Sequence, residues 1–470
     1  MEFTRVLPAP SQLLHFALSA FNSSFALLKS AAPGRYHMLP NSSFCIDNET
    51  GFIPRMPPAR LPSMFQFWER SLSEAATALS LGEDSSDEAE AKRHSSERWR
   101  QRIREGPVIC TSTIEFDVGR LQRAHFVLAW LVHYYVHSTP PTVDSTPMVV
   151  PKSLAVPLVA VSRCLGIAPV LTYADTVLWN VTTADPELPL AHDNMRFPHL
   201  FSGTDDEHAF YVASATAELR GAEILRIIED CNTLPDVSNL ATISKISRSL
   251  TRVTSIIEEL SDIMQSVRAG CDPHVFHWAI RPWYRGSDAS GPDSAGWIYE
   301  GVENNKDLDL SGPSAGQSTL MHALDVWLDI DHKLSQKRAP PPSDSNRQAD
   351  RGFMQRMRRY MPGVHQDYLR HLAQSPRPLR ELARQTPALR EPYNSAVMAL
   401  KKLRDGHLKI ACLYIITMSR SSRCPATAMM QKAQETLKAT RNGPVRGTGG
   451  TEVSTLLKAG RDATRRAVLE

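Results

Sequence analysis

The chain has 470 residues, 42% of them hydrophobic and 22% charged, a soluble composition long enough for two domains or one large helical one. Lys and Arg total 53 against 50 acidic residues, and this net charge of +3 gives no electrostatic case for nucleic acid as a partner. The seven cysteines are scattered without a C-x-x-C pair, which speaks against a zinc site or a disulfide framework and for reduced cytosolic thiols.

No apolar run is long enough to cross a bilayer. Leu13 to Leu28, the best candidate, is interrupted by His15, Ser19, Asn22, Ser23 and Ser24. It is Ser-rich and poor in acids, features of an organelle presequence as well as of a plain N-terminal extension. Leu72 to Leu81 has helical spacing, and Gly82 to Arg104, acidic, serine-rich and charged, reads as a solvated insertion or linker. Leu121 to Val136 predicts a buried helix, followed by an extended stretch through Val149, Val150 and Pro151. Leu240 to Gly270 carries apolar residues at three-and-four spacing and predicts a long amphipathic helix. Lys337 to Ala349 is a loop by composition, and Ala396 to Met418 predicts another helix. From Ser419 to Gly450 the pattern decays into Ser, Pro, Thr and Gly, as a mobile lid would. With no strongly alternating strand set, the fold class is all-α.

Among sixteen histidines, His407 stands out because it lies on the apolar stripe of its helix, one residue after Gly406. A small neighbour suits a flat ligand such as porphyrin, although a satisfied core histidine is the commoner outcome. Arg404, three residues earlier, suits either a haem propionate or a surface salt bridge. Asp325 occupies an otherwise apolar helix and needs a partner, one candidate being the free ring nitrogen of an iron-ligating histidine. Arg281, in VFHWAIRPWY, reads as a desolvated carboxylate clamp or as a cation packed on Trp283. Ser314, Ala315 and Gly316 form a turn that starts a helix. No G-x-S-x-G, H-E-x-x-H, P-loop or G-x-G-x-x-G fingerprint is present, so hydrolase, zinc-protease and nucleotide readings lose their usual support.

Seven separated stretches, in order, resemble the indoleamine 2,3-dioxygenase family, in the manner of a fungal member. They are LGIAPVLTYADTVLWN (165–180), FYVASATAE (210–218), WIYEG (297–301), SAGQSTLMHALDVWL (314–328), MRRYMPGVHQDYL (357–369), LREPYNSAVMALKKLRDGHL (389–408) and RGTGGTEVSTLLK (446–458). GFIPRMPPARLPSMFQFWE (51–69) resembles the family's N-terminal entry more weakly, and 82–104 has no obvious counterpart. The resemblance implies an extension (1–48), a small helical domain (49–196) and a large helical domain (197–470) holding haem b, with iron in the ferrous state when active. Flexible loops are expected near 337–349 and 419–450.

Carried onto this chain, the family's proximal iron ligand falls on His407, its acidic partner on Asp325 and the propionate-binding arginine on Arg404. The turn beside the haem falls on Ser314, Ala315 and Gly316. Arg281 takes the substrate carboxylate, Tyr173, Phe210 and Phe276 form the distal walls, Ser214 is the distal hydroxyl and Thr448 the lid threonine. Arg281, Ser214 and Phe276 are thus the residues nearest the reaction. The implied activity is insertion of O2 across the indole C2–C3 bond of L-tryptophan, giving N-formylkynurenine in the kynurenine pathway, by a cytoplasmic monomer. Thr176, His277 and Pro313 depart from the cysteine, phenylalanine and glycine usual in animal members. The first two make the pocket entrance more polar, which keeps open the same chemistry on a modified indole; a non-catalytic haem-binding relative is the remaining alternative.

Overall fold

The computed structural model describes residues 39–141, 146–234, 236–289, 291, 295–421, 445–448 and 452–470. Leu13–Leu28 and most of the 419–450 stretch lie outside the described residues. Contacts divide the chain after Leu39, and Pro40–Glu470 forms one unit.

Among the described residues, ten helices of nine residues or more carry the architecture: α1 (Gln66–Ala78), α2 (Asp87–Arg104), α3 (Val118–Ser138), α4 (Lys152–Leu165) and α5 (Asp205–Asn232), then α6 (Leu240–Gly270), α7 (Thr319–Trp327), α8 (Gly363–Ala373), α9 (Pro387–Ala411) and α10 (Val453–Arg465). Among the described residues the strands are confined to two small ladders. Met148–Val150 pairs in parallel with Trp297–Tyr299, and Thr182–Thr183 pairs antiparallel with Met195–Arg196. The all-α expectation holds, and no helix among the described residues is long and apolar enough to cross a membrane.

Helix α3 is the central post. Every residue from Ala124 to Val136 is buried, which an uncharged, all-round apolar sequence permits. Its polar exceptions are used as ties. His125 Nδ1 meets the Asp175 carboxylate at 2.8 Å, and His133 Nδ1 meets the Trp283 carbonyl at 2.7 Å. One helix thereby positions two separate wall segments of the site described below.

The long helix α6 starts on an Asn239 cap that accepts the Thr242 N–H at 2.8 Å. It buries Ile246, Leu250, Val253, Ile256, Ile257 and Leu260 against α5 on one side and α9 on the other. Helix α9 answers with Tyr393, Ala396, Val397, Leu400 and Leu403. Helix α5 meets α7 at Gly221, where an added Cβ would lie 2.0 Å from a Leu320 methyl; only glycine permits that approach.

The 82–104 stretch is no linker: its larger part is helix α2. Ser86 caps it, accepting the Ala89 N–H, and Trp99 and Ile103, one turn apart, are buried. Trp99 Nε1–H donates to the Ser71 carbonyl of α1 at 3.0 Å, and the charges that suggested solvation form short-range pairs such as Lys92–Glu88 and Arg100–Glu97. The helix expected from Ala396 to Met418 starts earlier, at Pro387, and ends at Ala411, where Cys412–Thr417 opens into a wider turn.

Candidate active site

Three wide, π-type turns lie in the described chain, at Ala174–Leu178, Phe276–Ile280 and Cys412–Thr417. Such turns are rare and cluster at functional sites. Here they hold or adjoin Tyr173, Phe276, His277, Arg281 and Tyr414. Phe276 packs against Phe210 of α5 (centroids 4.9 Å apart) and edge-on to Tyr414 (5.6 Å). An aromatic wall is thus assembled from three distant parts of the chain.

Arg281 is buried, with 9% exposure, and burial pulls its guanidinium down to about 10. One nitrogen donates to the Arg446 carbonyl at 2.6 Å, while Nε has no partner. No carboxylate pairs with it among the described residues, and Trp283 stacks instead on Phe201, 5.4 Å away at 13°. The cation-on-tryptophan alternative therefore falls. A buried guanidinium without an anion is costly unless a ligand brings one.

Thr448 sits beside this arginine. Its hydroxyl donates to the Pro313 carbonyl at 2.8 Å, and its own carbonyl accepts the N–H groups of Gly286 and Gly312 at 3.3 and 3.4 Å. A Cβ on Gly312 would stand 1.8 Å from the Tyr284 oxygen, so the close approach of these loop segments requires glycine there. Ser314 caps the short turn Ala315–Gln317, accepting the Gly316 N–H at 3.2 Å, as the sequence predicts. Ala315 is exposed, while Ser314 and Gly316 are half-buried. Ser214, one turn beyond Phe210, donates its hydroxyl to the Phe210 carbonyl at 3.0 Å. With its proton committed and no histidine partner among the described residues, Ser214 is no nucleophile.

On α9, His407 is half-buried and its imidazole has no hydrogen-bond partner among the described residues. Burial, then the nearby Arg404 charge, lowers its pKa, so the ring is neutral near pH 7. Arg404 is neither free nor at the surface. It pairs with Asp325 at 2.5 Å, with side-chain exposures of 13% and 4%, and also donates to Thr464 and the Gly460 carbonyl of α10. The second Asp325 oxygen meets His332 Nε2 at 2.7 Å. Burial alone would raise the Asp325 carboxyl, but these two partners and their charges carry it well below the usual carboxylate range.

Two sequence expectations need correction here. Asp325 contacts Arg404 and His332, with no hydrogen bond to His407; it orients the arginine, not the imidazole. Gly406 faces α6, where an added Cβ would stand 2.6 Å from Gln265 and 3.1 Å from Met264; its smallness serves helix packing. The polar departures Thr176 and His277 are also turned inward, 3% and 5% exposed. Thr176 donates to the Thr172 carbonyl at 3.2 Å, and His277 Nδ1 meets the Tyr414 carbonyl at 3.1 Å. Burial lowers His277 to about 4, so it adds no charge.

The structure also brings in residues that sequence reasoning passed over. Gln317 accepts the Tyr173 N–H at 2.8 Å, and Ser318 donates to the Glu218 carboxyl at 2.6 Å. Neither Glu218 nor His332 carries a local signal in the sequence.

An unpaired neutral imidazole and an adjacent buried guanidinium form the donor set that a haem iron and a haem propionate require, and the open aromatic wall with Arg281 suits an apolar, carboxylate-bearing ligand. The family model for indoleamine 2,3-dioxygenase matches residues 40–467. Indoleamine 2,3-dioxygenase 1 of Rattus norvegicus is 30% identical over 94% of this chain and 98% of its own length. Indoleamine 2,3-dioxygenase of Saccharomyces cerevisiae is 28% identical over 90% and 92%. The 6-hydroxytryptophan 2,3-dioxygenase of Fusarium equiseti is 26% identical over 87% and 93%.

Proposed function

The chain belongs to the indoleamine 2,3-dioxygenase family, a dioxygenase family whose cofactor is haem, and from that premise we propose that it cleaves the indole C2–C3 bond of L-tryptophan with O2 to give N-formylkynurenine. The observation that carries this reading is Arg281, a buried cation with an unpartnered Nε and no paired anion among the described residues.

His407 would hold the iron through its neutral imidazole, and Arg404, fixed by Asp325, would meet a propionate. Bound haem supplies the dioxygen chemistry. The chain's own work is binding, orientation and exclusion of water. Arg281 takes the substrate carboxylate in a charge-assisted pair worth about 2–3 kcal/mol. Phe210, Phe276 and Tyr173 clamp the indole, and Thr448, docked on Pro313, closes the amino-acid end. Ser214 keeps its hydroxyl proton and donates it in a hydrogen bond to the Phe210 carbonyl, which leaves its oxygen as an acceptor only. Positioning of this kind supplies much of the rate.

The division into a small part (49–196) and a large part (197–470), the monomeric state and the cytoplasmic location belong to the same proposal. A second reading, a ring-hydroxylated tryptophan as substrate, draws on the likeness to 6-hydroxytryptophan 2,3-dioxygenase. The deciding experiment is the absorption spectrum of reduced, haem-loaded protein with O2 and either tryptophan or 6-hydroxytryptophan, repeated on His407→Ala. Formylkynurenine absorbance from tryptophan, lost with the haem Soret band in the variant, is expected. A variant that keeps both would remove His407 as ligand, and product only from the hydroxylated substrate would favour the second reading.

A further inference from the structure

Gln317 closes the short turn that precedes α7 and is 2% exposed. Nothing in the proposed chemistry uses it. Its amide is bonded at both ends to the backbone of other segments. Oε1 accepts the Tyr173 N–H at 2.8 Å, and Nε2 donates to the Gly312 carbonyl at 2.9 Å. The first partner can only donate and the second can only accept, so a single orientation of the amide fits. Its mount is held as well. The Gln317 N–H donates to the Ser314 carbonyl at 2.9 Å, and the next residue, Ser318, caps α7.

The two segments that the amide joins serve different ends of the substrate in the reading above. Tyr173 belongs to the indole wall, and its turn is tied from behind. Asp175 meets His125 at 2.8 Å and accepts the Thr172 N–H at 2.8 Å. Gly312 leads to the amino-acid end. Its N–H donates to the Thr448 carbonyl at 3.4 Å, and the Thr448 hydroxyl docks on the Pro313 carbonyl at 2.8 Å. Two residues before Thr448, the Arg446 carbonyl accepts from the Arg281 guanidinium at 2.6 Å. Backbone and hydrogen bonds therefore run without a gap from Tyr173 through Gln317, Gly312, Thr448 and Arg446 to Arg281.

Resting on the tryptophan reading, we propose that Gln317 is a positioning residue that holds the Tyr173 wall at a set distance from the Arg281 clamp, so that the site grips the indole and the carboxylate of one amino acid together. Both ends of the amide are committed to backbone groups, and it acts through them. Glutamate in its place keeps an acceptor for Tyr173 but sets a carboxylate oxygen against the Gly312 carbonyl. Methionine, of similar length, loses both bonds. Without the link, the wall and the clamp must be ordered by the substrate itself, at a cost in affinity.

The test uses haem-loaded full-length protein with Gln317→Met, Gln317→Glu, Arg281→Met and the Gln317→Met/Arg281→Met double variant. KM and kcat for L-tryptophan are measured beside Soret intensity and melting temperature. Gln317→Met and Gln317→Glu should each raise KM about tenfold. In the Arg281→Met background, where no clamp is left to align, Gln317→Met should add less than about threefold, the non-additivity expected of one network. A merely structural role would lower the melting temperature and the yield of active enzyme, hence the apparent kcat, and leave KM in place. The proposal is overturned by a Gln317→Met variant with wild-type KM, by a Gln317→Glu variant with wild-type KM, which would leave Tyr173 as the one partner that matters, or by KM effects that multiply in the double variant. Should neither single variant fold, amide hydrogen exchange in the wild type decides. L-Tryptophan is expected to slow exchange at Tyr173 and Gly312 by similar factors, and protection of one without the other overturns the link. Wild-type protein that neither binds nor turns over tryptophan removes the parent reading, an outcome separate from unchanged or multiplying KM values in an active enzyme.

Discussion

Replacing Arg281 with methionine should move binding and stability in opposite directions. The side chains are similar in length, and the site is 9% exposed. A guanidinium whose pKa falls from 12.5 to about 10 carries a cost of about 3 kcal/mol for keeping its charge there, at ~1.4 kcal/mol per pH unit. Methionine escapes that cost and gives up the bond to the Arg446 carbonyl, worth about 1 kcal/mol. The ligand-free variant should therefore be about 1–2 kcal/mol more stable, a rise of several degrees or less in a chain of this size. The same change removes the charge-assisted contact to the substrate carboxylate, about 2–3 kcal/mol, and should raise the tryptophan KM about 30–150-fold. Steady-state assay and thermal unfolding of the apoprotein read the two effects separately. A variant with KM within threefold of wild type, or one that loses stability along with affinity, would falsify the carboxylate-clamp assignment and make Arg281 a structural residue.

Asp325→Ala leaves buried Arg404 and His332 without their shared partner and should cost about 3–5 kcal/mol in the apoprotein; an unchanged melting temperature would show that Thr464 and the Gly460 carbonyl suffice for Arg404. Gly221→Ala forces α5 off Leu320 and should cost about 1–3 kcal/mol, with chemical denaturation as the readout. Acidification should destabilise the apoprotein below pH 6.5. Buried His133, His277 and His322 are held near about 4 and His365 near about 3, in each case chiefly by burial. Because the unfolded chain takes up these protons first, each histidine costs ~1.4 kcal/mol per pH unit between its two pKa values. Glu218, raised to about 7, works the other way between pH 7 and 4.5, but it is outnumbered. A melting temperature constant from pH 7 to 5 would contradict the balance.

Long elements with strong periodicity were legible in advance. Helix α3 has no charge from Ala124 to Val136, and α6 carries an unbroken stripe with an asparagine cap, so local physics and tertiary packing agree. Helix α2 is hard to read because its charged surface outnumbers its two apolar anchors, Trp99 and Ile103, whose one-turn spacing is the local sign of burial. The site residues were recognised from ordered motifs, yet their contacts were not. Which way Gly406 faces, and whether Asp325 reaches an imidazole or a guanidinium, depend on neighbours 141 and 79 positions away. Glu218 shows the converse: nothing in the sequence marks this acid, and only the bond from Ser318, 100 positions away, shows how it is held.

The wide turn at Phe276–Ile280 closes on a bond from the Arg281 N–H to the Phe276 carbonyl, five residues apart where an α-helix has four. It amounts to one extra residue threaded into a helical turn. Deleting any single residue there would restore ordinary winding and rotate everything downstream by about 100°, swinging the guanidinium away from the side that Phe276 occupies. Length in this segment is thus as strongly constrained as residue identity. Natural drift of this protein can change side chains along the aromatic wall far more readily than it can gain or lose a position beneath it.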